Sequence, residues 1–229
     1  MRYFELIVTV FLGEDVTYLA SYEYIGNLIS RAMAHDDKLR ELHKKSGFKL
    51  YTFCGFQPIE QDKVYKKGRI YIINIRSISV DFILALKKVL PHVESPTKII
   101  ATDIRLYEYR HITELITLTP VVATLSSNRN WTKEDGLLLL RERAHSNTVK
   151  KCRNFFRDFP EPEDNFIEFI QQINRKPIKI PYKGINFLGN KLIIGVKPDE
   201  VSQKLAFTAL GAGLLEKGSA IGSGYCRAK

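Results

Sequence analysis

Arg69-Ile-Tyr-Ile-Ile-Asn-Ile-Arg-Ser-Ile78, then Val80-Asp-Phe-Ile-Leu-Ala-Leu-Lys-Lys-Val-Leu90, then Pro91 is the stretch that sets the architecture. The first run is β-branched and reads as a strand. The second is apolar at helical spacing, and a proline that cannot extend the helix closes it. A further strand is predicted over Lys98 to Tyr109. Upstream, Tyr3 to Leu12 is another β-branched and aromatic run. Apolar residues then recur at helical spacing from Thr17 to about Ala34. Asp36-Asp37 offers a cap for the short helix Lys38 to Lys45, which Ser46-Gly47 ends, and Phe48 to Phe56 reads as a strand. The order is β-α-β-β-α-β, the ferredoxin-like unit.

The second half repeats this order more faintly. Leu115 to Leu125 is β-rich, and helices are predicted around Gly136 to Phe156, Asn165 to Asn174 and Glu200 to Leu210. Strands are predicted over Pro177 to Tyr182, over Ile185 to Val196 and near Ser223 to Arg227. The fold class is therefore α+β, two tandem ferredoxin-like (RRM-like) domains at 1–112 and 113–229 with a glycine-rich loop at the carboxy end.

The chain has 229 residues, 45% hydrophobic and 26% charged, as expected of a soluble globular protein. Thirty-five Lys and Arg against 25 Asp and Glu give a net charge of +10, which favours polyanionic partners, nucleic acid before membrane. No apolar run approaches a membrane span. Cys54, Cys152 and Cys226 are far apart and unpaired in motif, which argues against disulfides and zinc and fits a cytoplasmic protein. HExxH, GxSxG, P-loop and dinucleotide signatures are missing from the sequence.

Five of fourteen glycines fall in Gly211 to Gly224, beside Lys217, Arg227 and Lys229. Clustered glycines let backbone N–H groups converge on an anion, and the chemistry points to phosphate. His43 closes the short helix beside Lys44 and Lys45, and Lys49 can return toward it across the turn. A base and a fixed cation at one phosphodiester are what self-cleavage of RNA by its 2′-OH requires. The alternative for His43 is a solvated helix-end histidine favoured by the macrodipole. His35 is either a second acid–base group or a helix-end residue paired with an aspartate; His92, His111 and His145 read as surface residues. Lys150, Arg153 and Arg157 share a helical face by spacing and form either an RNA track or a solvated face.

Three segments resemble the CRISPR-associated repeat-RNA endoribonucleases of the RAMP superfamily, the Cas six family. Leu42-His43, a glycine turn and Lys49-Leu-Tyr-Thr-Phe-Cys54 are similar to the family's histidine and Lys-x-x-Thr-Phe-Ser segment, with Cys54 in place of serine. Leu115 to Val122 resembles the strand that opens the family's second domain, and Gly211 to Gly224 its glycine-rich loop. The resemblance implies cleavage of precursor CRISPR RNA within repeats, without metal or cofactor, by 2′-OH attack. His43 would be the acid–base residue, His35 its substitute, and Lys49 the cation at the phosphate. Gly211, Gly213, Lys217, Gly218, Ser219, Gly222, Gly224 and Arg227 would meet RNA. Implied partners are repeat RNA and other CRISPR-associated proteins, for a monomer or homodimer. The rival expectation is a RAMP subunit that binds repeat RNA without cutting it.

Overall fold

Alternation of apolar residues along Arg2–Phe11 (β1) sends Leu6, Val8 and Val10 to one face, and that face founds the first core. The computed structural model describes residues 1–109, 111–125 and 129–229. After β1 come Val16–Thr17 (β2), Ala20–Met33 (α1), Asp37–Lys44 (α2), Tyr51–Phe53 (β3), Val64–Tyr65 (β4), Ile70–Ser77 (β5), Val80–Val89 (α3) and Lys98–Glu108 (β6). The sheet order is β3-β5-β1-β6, and all its pairs are antiparallel. Ile25, Ile29 and Met33 of α1 and Phe82, Ile83 and Leu86 of α3 cover the face that β1 and β5 present. Ser79 caps α3 by accepting from the Phe82 amide.

The second half contains Glu114–Thr117 (β7), Leu137–Phe155 (α4), Ile167–Gln172 (β8), Ile178–Tyr182 (β9), Ile185–Gly189 (β10), Leu192–Val196 (β11), Glu200–Ala212 (α5), Gly218–Ile221 (α6) and Cys226–Ala228 (β12). Its main sheet runs β12-β7-β11-β8. Counting only sheet strands, each half follows the order 4-1-3-2 of a ferredoxin-like unit. The α+β expectation with two such units holds. β9 and β10 form a hairpin of their own, inserted between the second and third sheet strands.

Three local expectations are corrected. Asn165 to Asn174 is no helix, because its centre is edge strand β8, antiparallel to β11. Phe166, Ile167 and Ile170 mimic helical spacing, but pairing with β11 decides the conformation, and the Phe169 ring lies over Gly195. Ile185 to Val196 is two strands in different sheets, broken around Asn190. α4 ends at Phe155, so Arg157 leaves the helical face that spacing had assigned it with Lys150 and Arg153.

A buried ionic knot joins the two halves. Arg76 of β5 donates to Glu5 Oε2 at 2.8 Å, to the carbonyls of Leu210 and Cys226 at 3.2 and 2.7 Å, and to the Tyr225 hydroxyl at 2.7 Å. Tyr225 in turn donates to Glu5 at 2.6 Å. With each partner satisfied, the buried charge fixes the register of one sheet on the other.

Candidate nucleic-acid interface and active site

α2 is a small platform. The Asp36 side chain accepts from the Leu39 amide at 3.0 Å and starts it, and buried Leu39 anchors it to the first core. His43 and Lys44 occupy its last turn, and His43 is exposed. Gly47 (φ 114°) and Leu50 (φ 51°) then reverse the chain, a path open to glycine and strained for leucine. That reversal returns Lys49 to His43. Both line one cleft of about 190 Å³ with Ser30 of α1, Tyr51 of β3 and Ser219 of α6.

Tyr182 and Lys183, at the tip of the β9–β10 hairpin, also line it. Lys183 (φ 47°) and Gly184 (φ 78°) make the two-residue turn, and the Lys183 amide donates to Glu23 Oε1 of α1 at 2.9 Å. Desolvation, then the charges of Lys49 and Lys183, push the His43 imidazole below its usual pKa and favour its neutral form. An unprotonated ring that shares its cleft with two lysines can accept a proton while the cations hold an anion. Lys183 was not anticipated from the sequence. The Tyr-Lys-Gly-Ile turn was visible there, but nothing local linked it to His43.

The carboxy-terminal glycines act largely through packing. A Cβ on Gly222 would meet the Phe53 carbonyl oxygen at 2.3 Å, and one on Gly224 would meet that of Leu214 at 2.0 Å. Gly26 of α1 faces the Ala220 carbonyl oxygen just as closely, at 2.1 Å from an added Cβ. These approaches seat α6 against α1 and β3, and Tyr51 donates to the Ser219 carbonyl at 3.2 Å. Gly211, expected in the loop, lies inside α5 against Ile78, and Gly213 caps that helix with φ 85°. Both are buried, as are Gly218, Gly222 and Gly224, whereas Lys217 is exposed and Ser219 half-buried. Lys217, its Nζ 5.2 Å from the Phe187 ring centroid, borders a second cleft of about 370 Å³. The two clefts share Lys49, Tyr51, Ser219 and Ala220.

The other candidates lie elsewhere. His35 sits exposed in the turn between α1 and α2 and lines neither cleft. His145 is half-buried rather than a surface residue, accepting the Phe166 amide on Nδ1 at 3.3 Å. Lys150 and Arg153 are exposed on α4, with Arg153 paired to Glu161, and Arg227 is exposed on β12. Lys151, in the same basic run, turns inward. Among the described residues, no three His, Cys, Asp or Glu side chains group as metal ligands, and no helix is long and apolar enough to cross a membrane.

Solved structures share this fold. Ninety-nine per cent of the chain matches 99% of a CRISPR-associated protein Cas6 at 16% identity and TM-score 0.72. The same coverage and identity, with TM-score 0.73, hold for a RAMP protein binding different RNA substrates. The fold is that of the Cas6 and RAMP proteins. The product of a Cas6-related gene from Pyrococcus furiosus is similar over 100% of this chain and 98% of its own, at 17% identity and TM-score 0.68. No protein-family model matches the sequence. No curated protein matches it either.

Proposed function

We propose that the protein is a metal-independent endoribonuclease that matures CRISPR RNA by cutting within the repeats. The observation that carries this reading is the convergence of His43, Lys49 and Lys183 on one cleft floored by Ser219 and Ala220. The 2′-hydroxyl of the nucleotide before the break attacks the adjacent phosphorus and gives its proton to His43. The 2′-oxygen–phosphorus bond forms as the phosphorus–5′-oxygen bond breaks. A proton passes to the leaving 5′-oxygen, giving a 2′,3′-cyclic phosphate and a 5′-hydroxyl end. Lys49 and Lys183 stabilise charge that grows on the phosphoryl oxygens. Lys217, Ser219, Arg227, Lys150 and Arg153 are assigned to the RNA backbone in the same reading, and the net charge of +10 supports a polyanionic partner. Cas6 proteins of this fold are known as substrate-mimic and product complexes.

The domain boundary near residue 112 and a cytoplasmic setting belong to this proposal. The experiment is end-group analysis of a repeat RNA incubated with protein and chelator. Cyclic phosphate ends are expected, and deoxyribose at the break should stop the reaction. A strict need for magnesium, or cleavage of the deoxy substrate, would overturn the mechanism. A second reading, an RNA-binding RAMP subunit without activity, is favoured by one observation: His43 is exposed and has no side-chain hydrogen bond among the described residues to orient its ring. Tight binding of uncleaved repeat RNA would select it.

A further inference from the structure

Lys151 sits on the inner face of α4 near Val149 and Cys152, only 5% exposed, where a helix normally places an apolar residue. It has no carboxylate partner within salt-bridge range among the described residues. Its ammonium instead donates to the carbonyls of Gly213 and Leu215 at 2.6 and 2.5 Å. These oxygens end α5 and begin the segment leading to Lys217 and Ser219, and Gly213, Leu215 and Lys217 all have positive φ. The side-chain nitrogen thereby ties the carbonyl at the end of α5 to one in the segment that follows. Lys151 also lines the second cleft, which shares Lys49 and Ser219 with the His43 cleft.

We propose that Lys151 is a positioning residue: by clamping the Gly213 and Leu215 carbonyls it fixes the 213–219 segment, and with it Lys217 and Ser219, at the mouth common to both clefts. The inference rests on the cleavage reading for its effect on rate, while the clamp itself can be observed without RNA. The groups around the ammonium are Glu216 from the segment and Cys226 from β12. Lys49 and Lys217 share its cleft, and the Phe48 ring centroid stands 6.0 Å away. Burial pushes the Lys151 ammonium down to about 7. When the segment opens, the side chain reaches water and regains an ordinary lysine pKa, so opening takes up a proton above pH 7. Opening therefore becomes rarer as pH rises, by up to about tenfold per unit.

Amide hydrogen exchange of residues 213–219, corrected for intrinsic rate, tests this on the full chain without RNA. Wild type should show a segment opening constant that falls between pH 7 and 9. K151M should open the segment at least tenfold more often with no pH slope, while β1 and β5 stay protected. K151Q, which keeps an uncharged amide NH2 donor on a shorter side chain, should fall between them and guards against misfolding of the methionine variant. In single-turnover cleavage of repeat RNA, K151M should lose roughly 10²-fold in rate at saturation, as expected for a misplaced site, with affinity changed much less. Unchanged segment exchange in both variants would overturn the clamp even if wild type cleaves. A wild-type protein inert on every repeat RNA, with the clamp intact, would overturn the cleavage reading and the positioning role with it.

Discussion

The amino-terminal and carboxy-terminal units share one strand order and differ in nearly everything hung upon it. β1, β5 and β6 run ten, eight and eleven residues, whereas β7, β11 and β12 run four, five and three; only the remaining pair reverses this, with three residues in β3 and six in β8. The first unit inserts α2 between its first helix and second sheet strand; the second inserts the β9–β10 hairpin between its second and third. His43 arrives on one insertion and Lys183 on the other, at the same cleft. In the proposed reading the repeated scaffold supplies rigidity and the unlike insertions supply the chemistry. The short second sheet leans on its neighbour through the Arg76 knot and the close glycine contacts.

Four experiments can break or sharpen this contrast. His43→Ala should lower single-turnover cleavage by about 10²- to 10⁴-fold while repeat-RNA affinity stays nearly constant. Full activity would remove the first insertion from the chemistry. Lys49→Ala should reduce the rate roughly 10²-fold and Lys183→Ala about tenfold. Both should also shift the pH profile. Desolvation first, and then the two cations, depress the His43 pKa, so the rising limb of kcat/KM, set by the neutral base, should have its midpoint below 6.5 in wild type. Removing either cation moves that midpoint upward, Lys49 more than Lys183. A Lys183→Ala profile that superposes on wild type would detach the hairpin from the site.

Packing is probed by a pair of alanines. Gly222→Ala, with φ 62° and the Phe53 carbonyl oxygen 2.3 Å from the new Cβ, should destabilise by about 1–3 kcal/mol in denaturant titration. Gly68→Ala has a similar φ of 79° but open space around it, and should lose only about 1 kcal/mol. Equal losses would mean that close approach between the halves contributes nothing beyond backbone strain. The smallest effect is expected for Lys217→Ala and Arg227→Ala, each weakening RNA binding roughly threefold to tenfold and reducing the salt slope by about one. An unchanged slope would place that residue off the RNA path.

The element order of the first unit was legible because most of its elements are long and each carries its own period, as in Arg69 to Leu90. The second unit misled where elements are short: six residues at β8 satisfy helical spacing, and only pairing with β11 makes them a strand. His43 and Lys49 were visible because one turn links them. Lys183 lies 140 or so residues downstream and Lys151 hides in a basic run that reads as solvated; no local pattern marks either.

Local periodicity and turn residues are properties of neighbours in the chain, so the α+β class and the ferredoxin-like order followed from sequence, and the excess of Lys and Arg set the expectation of an anionic partner. Which lysines share a cleft with His43, which one is buried, and which glycines are closely packed depend on contacts between residues far apart in the chain. Those contacts form only when two sheets close on each other, and only the tertiary structure decided them.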